Sequence, residues 1–141
     1  MNSSSLPSSF LKYITAIIDF KNKPPMSAPR TFTAEELSHF DGSEGKPLYL
    51  SVMGVVFDVS AGGDFYGPGK AYGVFAGKEV SRCLGKMDIS DKESNAGWRN
   101  LNEEHMKVLQ DWKNRYDSKY PVVGTFQADP HFEMRGVQLD P

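Results

Sequence analysis

The sequence predicts an α+β domain, a small sheet braced by short helices, with a separate extension before it. Three observations carry that expectation. Around Gly54, Leu48, Leu50 and Val52 alternate on one side, and Val55 to Val59 is rich in β-branched residues on the other, as in a hairpin. A helix with both a start and a stop signal runs from Asn102 to the residue before Pro121. The 141 residues are 39% hydrophobic and 12% aromatic, enough apolar material for one core.

The elements follow in chain order. Phe10 to Phe20 reads FLKYITAIIDF, and helical spacing puts Phe10, Tyr13, Ile14, Ile17 and Ile18 on one face. This stretch contains Lys12 and Asp19 and falls well short of the roughly 20 apolar residues of a membrane span. A Ser-rich rather than basic segment precedes it, which argues against a signal peptide. Docking onto protein is expected, with peripheral attachment to a membrane interface as the alternative. KNKPPMSAPR, from Lys21 to Arg30, reads as a linker, because its prolines remove donors and extend the residues before them. The domain opens at Phe32. Thr33 and Glu36 have capping-box spacing, Phe32 and Leu37 have hydrophobic-staple spacing, and a helix is expected over about Ala34 to Phe40. A loop over Asp41 to Pro47 leads into the hairpin.

Between Ser60 and Lys70, Gly62, Gly63, Gly67, Pro68 and Gly69 leave no room for a regular element. From Ala71 to Met87 two short helices are expected, interrupted by Gly73, Gly77 and Gly85, and Asp88 to Asn100 reads as a polar loop. Asn102 is a good N-cap, Glu103 and Glu104 suit the positive first turn, and Val108, Leu109, Trp112 and Tyr116 give the long helix an apolar face. A last strand, Val122 to Phe126, precedes a polar tail. The chain thus divides into an extension over 1–30, a domain over 31–126 and a tail over 127–141.

Several function classes are disfavoured. Sixteen basic against eighteen acidic residues give a net charge of −2, which speaks against nucleic acid, where clustered cations must neutralise phosphates. Cys83 is the single cysteine, so no internal disulfide can form and a reducing compartment is favoured. GVFAGKE, from Gly73 to Glu79, lacks the glycine spacing and the terminal Ser or Thr of a phosphate loop, and no G-x-G-x-x-G occurs. His39, His105 and His131 are scattered without a cysteine pair to complete zinc ligation and read as ordinary surface residues. Cys83 has no base beside it and reads as a packed thiol.

What remains unusual is FYGPGKAYGVFAGKEVSRCLGKM, residues 65 to 87, with YLSVMGVVFDVS before it and DWKNRYDSKYPVVG after it. These segments resemble the membrane-associated progesterone receptor family, divergent relatives of cytochrome b5, over about Phe32 to Phe126. The resemblance implies a cytochrome b5-like α+β fold whose sheet and short helices form a ligand cleft. It implies noncovalent binding of ferric haem b through one axial tyrosine, which matches Tyr72, with hydrogen bonds around the propionates and axial phenol from Tyr66, Lys119 and Tyr120. The His-Pro-Gly-Gly loop of cytochrome b5 proper is absent, and AGGDFYGPGKAY stands in its place. A phenolate is a hard anionic donor suited to Fe(III), as in the tyrosine ligation of catalase. Phe75 and Leu84 are expected to line the pocket.

The same residues have plainer readings. Tyr66 and Tyr72 suit half-buried core positions, and Lys119 suits a helix C-terminus. The resemblance further implies a binding or regulatory protein rather than a catalyst, with haem-thiolate monooxygenases as partners, a haem-mediated homodimer, and the endoplasmic reticulum or another endomembrane as setting. With no spanning segment expected, a cytoplasmic location with at most peripheral membrane contact through Phe10 to Phe20 follows. Two alternatives stay open: a module for a sterol or other flat apolar ligand without obligatory haem, and an electron-transfer protein of the cytochrome b5 type.

Overall fold

A computed structural model describes residues 30–141. The amphipathic stretch Phe10 to Phe20 and all of the linker before Arg30 lie outside the described residues. Four strands form one sheet: β1 (Arg30–Phe32), β2 (Tyr49–Val52), β3 (Val55–Asp58) and β4 (Val122–Phe126). Their order is β1-β4-β3-β2, with β1 parallel to β4 and the other pairs antiparallel. The expected hairpin is present. Its turn is made by Met53 (φ 50°) and Gly54 (φ 78°), the two left-handed residues of a tight turn whose twist matches that of the strands. Arg30, read as the end of the linker, is the first residue of β1. Its pairing with Gly124, far along the chain, is what makes it a strand.

Each face of the sheet has its own core. On one, Phe32, Leu37 and Val56 are buried with Phe40, Tyr49, Val123 and Phe126 packed around them. The helix covering it, α1 (Ala34–Ser38), begins with the expected capping box at Thr33 and Glu36. The other face is larger. Leu50, Phe57 and Leu109 are fully buried there, and each such side chain contributes roughly 1.5–3 kcal/mol relative to exposure. It is covered by α2 (Gly63–Tyr66), α3 (Ser81–Lys86) and α4 (Glu103–Lys119). The Asn102 side chain caps α4 by accepting from the His105 amide, as its sequence position suggests.

Three local expectations need correction. The glycine-rich stretch after β3 is not irregular throughout: Ser60–Gly62 forms a 3-10 turn that runs straight into α2. The polar tail contains a helix, α5 (Phe132–Val137), whose Phe132 and Gly136 are buried and whose Phe132 ring meets Trp98 edge-on at 6.0 Å. His105 is not an ordinary surface histidine: it is half buried, and its Nδ1 is buried without a partner among the described residues. His39 and His131 are exposed.

Two buried polar networks hold the larger layer in register. The Glu79 carboxylate is fully buried and accepts from Ser51 Oγ, the Gly54 amide, and both the amide and Oγ of Ser81. It therefore ties the hairpin to the start of α3. Burial pushes its pKa up to about 7 against these hydrogen bonds, which pull it down. At the opposite side of α3, the fully buried Arg82 pairs with Glu93 at 2.9 Å and donates to Gly97 O, Asn100 Oδ1 and Asp140 O.

Candidate functional site

The groove lies between α2, the turn after it, α3 and α4. It is lined by Tyr66, Tyr72, Phe75, Cys83, Leu84, Met87, Ile89 and Trp112. Its cavity volume is about 40 Å³, and the empty space is about 350 Å³ when the open solvent at its mouth is included. Apart from two phenol hydroxyls and a thiol, everything facing it is apolar or aromatic.

Tyr72 is brought there by close backbone packing. The chain from Gly67 folds back onto α2, where the Tyr72 amide donates to Phe65 O at 2.9 Å. A 3-10 turn over Gly73–Phe75 then begins. A Cβ on Gly73 would sit 2.7 Å from the Gly67 carbonyl oxygen, so only glycine permits this fold-back. The result sets the Tyr72 ring 6.1 Å from Phe75, nearly parallel to it, and 6.1 Å from Tyr66. Tyr72 is half buried, and its hydroxyl hydrogen-bonds to none of the described residues.

Tyr66 is buried, and its hydroxyl lies 2.6 Å from that of Tyr116 on α4. Burial raises the pKa of Tyr66, partly countered by the Tyr116 hydroxyl, and burial drives that of Tyr116 far higher. Both are therefore neutral phenols at physiological pH. Tyr120 completes an aromatic cluster at 6.5 Å from Tyr66 and 5.5 Å from Tyr116, but does not line the groove. Lys119 stands outside it and is exposed, its Nζ 5.9 Å from the Phe65 ring and 5.4 Å from the Tyr120 ring. Of the four residues singled out in sequence, Tyr66 and Tyr72 thus share the groove. Tyr120 sits behind Tyr66, and Lys119 lies at the periphery.

Helix α3 supplies Cys83 and Leu84. The Cys83 thiol is pushed up to about 12 by burial and by the nearby Glu79, so it stays protonated and unreactive at neutral pH. Met87 and Ile89, which follow α3, are 61% and 50% exposed although they line the groove. Four contributors escaped the sequence reading: Met87, Ile89, Trp112 and Tyr116. Trp112 and Tyr116 were legible only as the apolar face of α4, since the partner of the Tyr116 hydroxyl lies 50 residues away in sequence. Among the described residues no cluster of three His, Cys, Asp or Glu could hold a metal ion by itself.

Comparison with known proteins bears on the family and the fold. Residues 33–126 match the family described as cytochrome b5-like heme/steroid binding domain. The chain is 46% identical over 94 residues to Probable steroid-binding protein 3 of Arabidopsis thaliana, covering 66% of this chain and 94% of that one. It is 37% identical over 105 residues to membrane-associated progesterone receptor component 2 of Homo sapiens, covering 71% of this chain but only 46% of the human protein. A solved Arabidopsis thaliana protein described as having a cytochrome b5 like fold superposes with a TM-score of 0.67 at 41% identity, covering 73% of this chain and 95% of that one. The resemblance carried by residues 65 to 87 and their flanks therefore holds, and the chain belongs to the cytochrome b5-like heme/steroid-binding family.

Proposed function

We propose that the groove binds ferric haem b noncovalently, with Tyr72 as the single axial ligand and the other face of the iron left open. The observation that carries this reading is the state of Tyr72: a half-buried phenol at the edge of an apolar groove, its hydroxyl unengaged by any described residue. The donor set is consistent with it. One protein oxygen with no supporting His, Cys or carboxylate cluster among the described residues holds iron only if the iron brings its own equatorial donors, as a porphyrin does. When bound, such a group supplies a ferric centre that can take a further ligand. The protein's part is to hold the macrocycle against Phe75 and Leu84, to present the Tyr72 oxygen and to leave one edge in solvent. Lys119, with Tyr120 beside it, would draw a propionate by charge where the ligand extends beyond the groove, a role its exposed position supports.

In this reading the protein is a binding or regulatory partner rather than a catalyst, and it acts on haem-thiolate monooxygenases at the endoplasmic reticulum or another endomembrane. A homodimer through exposed haem faces belongs to the same reading. No helix among the described residues is long and apolar enough to cross a membrane; attachment through Phe10 to Phe20, a stretch of sequence too short for a span and interrupted by Lys12 and Asp19, would be peripheral. A second reading, a sterol or other flat apolar ligand in the same groove, is favoured by its almost wholly apolar lining.

A ferric haem titration followed by absorption spectroscopy separates the readings. Wild type is expected to give a saturable Soret band, and Tyr72→Phe to lose most of that affinity while melting at the same temperature. Equal haem affinity in Tyr72→Phe removes Tyr72 from its role, and sterol binding without a Soret band selects the second reading.

A further inference from the structure

Tyr116 is 2% exposed and surrounded by aromatic rings: Phe57 at 5.5 Å, Trp112 at 6.3 Å, Tyr66 at 6.4 Å and Tyr120 at 5.5 Å. A phenylalanine would fill that space without the cost of burying a hydroxyl. The hydroxyl has one partner among the described residues, the Tyr66 oxygen at 2.6 Å. That separation is compatible with either oxygen donating, and the surroundings decide between them. If Tyr66 donated, the Tyr116 proton would be left buried with no acceptor, at a penalty of about 1–3 kcal/mol. If Tyr116 donates, its proton is satisfied, and the Tyr66 proton is free to turn to the groove that Tyr66 lines and Tyr116 does not.

We infer that Tyr116 is a positioning residue: by donating to the Tyr66 oxygen it aims the Tyr66 hydroxyl proton into the groove, making Tyr66 an obligatory hydrogen-bond donor to what is bound there. Each phenol then uses its one proton once. A ligand with an acceptor atom near Tyr66 is selected over one with a donor there. The inference rests on the haem reading only for the identity of that acceptor, which would be the Tyr72 oxygen when it carries iron, since the Tyr66 and Tyr72 rings are 6.1 Å apart. A donated hydrogen bond draws charge from a phenolate and so changes how it bonds to iron.

Two measurements test this. In the ferric haem-loaded protein, Tyr116→Phe is expected to lower haem affinity by about 3- to 10-fold, the range for loss of one such hydrogen bond. It is also expected to move the phenolate-to-iron charge-transfer band in the same direction as Tyr66→Phe. Adding Tyr116→Phe to Tyr66→Phe should move it no further, because both act through one proton. A merely structural role would leave the band in place. An unmoved band in either single variant, or additive shifts, overturns the inference.

If wild type takes up no haem, the haem reading has failed, and the ligand-free protein decides the orientation by proton NMR. A slowly exchanging hydroxyl proton on the Tyr116 ring, absent in Tyr116→Phe, supports the inference. A protected hydroxyl proton on the Tyr66 ring, with none on Tyr116, contradicts it.

Discussion

Replacing Arg82 with methionine keeps an unbranched apolar stem of similar length and removes every donor of the guanidinium. Its side chain is fully buried, and the partner Glu93 is only 12% exposed. The substitution deletes a 2.9 Å ion pair, orphans two acceptors, Gly97 O and Asn100 Oδ1, and takes one of two donors from Asp140 O. Lys86 still reaches Glu93 at 2.8 Å and the Asp140 carbonyl at 2.8 Å, so the carboxylate is not left alone. Breaking a buried pair on one side typically costs about 3–5 kcal/mol, and the remaining lysine places the expectation at the lower end, near 3 kcal/mol. For a domain of this size that corresponds to a fall in Tm of about 12 °C. Urea unfolding followed by circular dichroism measures the loss. Hydrogen exchange should show its origin as faster opening over 93–100 and 138–141, the segments that the guanidinium joins to α3. A loss below about 1 kcal/mol, the scale of a solvent-screened pair, would refute the reasoning that this cation clasps the C-terminal segment to the floor of the groove.

Two further outcomes follow from buried or strained positions. Burial lifts the Glu79 pKa from 4.5 to about 7, so its contribution to stability is full below about pH 4.5, falls as the pH rises to about 7 and is flat above. The drop is about 3 kcal/mol at 1.36 kcal/mol per unit, and it should vanish from the pH profile of Glu79→Gln; an identical slope in the variant would contradict the assignment. Met87 ends α3 in a left-handed conformation (φ 54°, ψ 41°) normally given to glycine, yet its side chain lines the groove. Met87→Gly is therefore expected to raise stability by about 0.5–1 kcal/mol while weakening ligand binding in the groove. A destabilised variant would show that the conformation is not strained.

The legible parts of the fold were those whose cause is local. The Thr33 and Glu36 capping box, the Met53–Gly54 turn between alternating strands and the Asn102 cap each satisfy their backbone groups within a few residues, so spacing alone exposed them. What stayed hidden depends on distant partners. Arg30 becomes a strand residue only opposite Gly124, and α5 exists in a polar stretch because Phe132 finds Trp98 and Phe126. A local signal for α5 was present in the Asp129 side chain, which accepts from the His131 amide and pairs with Arg135 one turn on. In the site, Gly67 was readable only as one of the breakers over Ser60 to Lys70 and Gly73 only as an interruption between short helices, while Tyr66 and Tyr72 were readable as site phenols through the resemblance. The Tyr116 hydroxyl was not, because its ring occupies an ordinary core position on α4 and its oxygen has meaning only through Tyr66. The resemblance placed Lys119 and Tyr120 with the ligand, while the geometry puts them behind and beside the groove rather than in its lining.

The central claim is that a ligand occupies the groove beside Tyr72. Ferric haem is paramagnetic, so proton NMR of the protein with and without it reports where the iron sits. Broadening is expected for Phe75, Leu84, Ile89 and Trp112, with Phe32, Leu37, Tyr49 and Phe126 on the other face of the sheet left sharp. Broadening of the second set while the first stays sharp would place the ligand elsewhere and contradict the account.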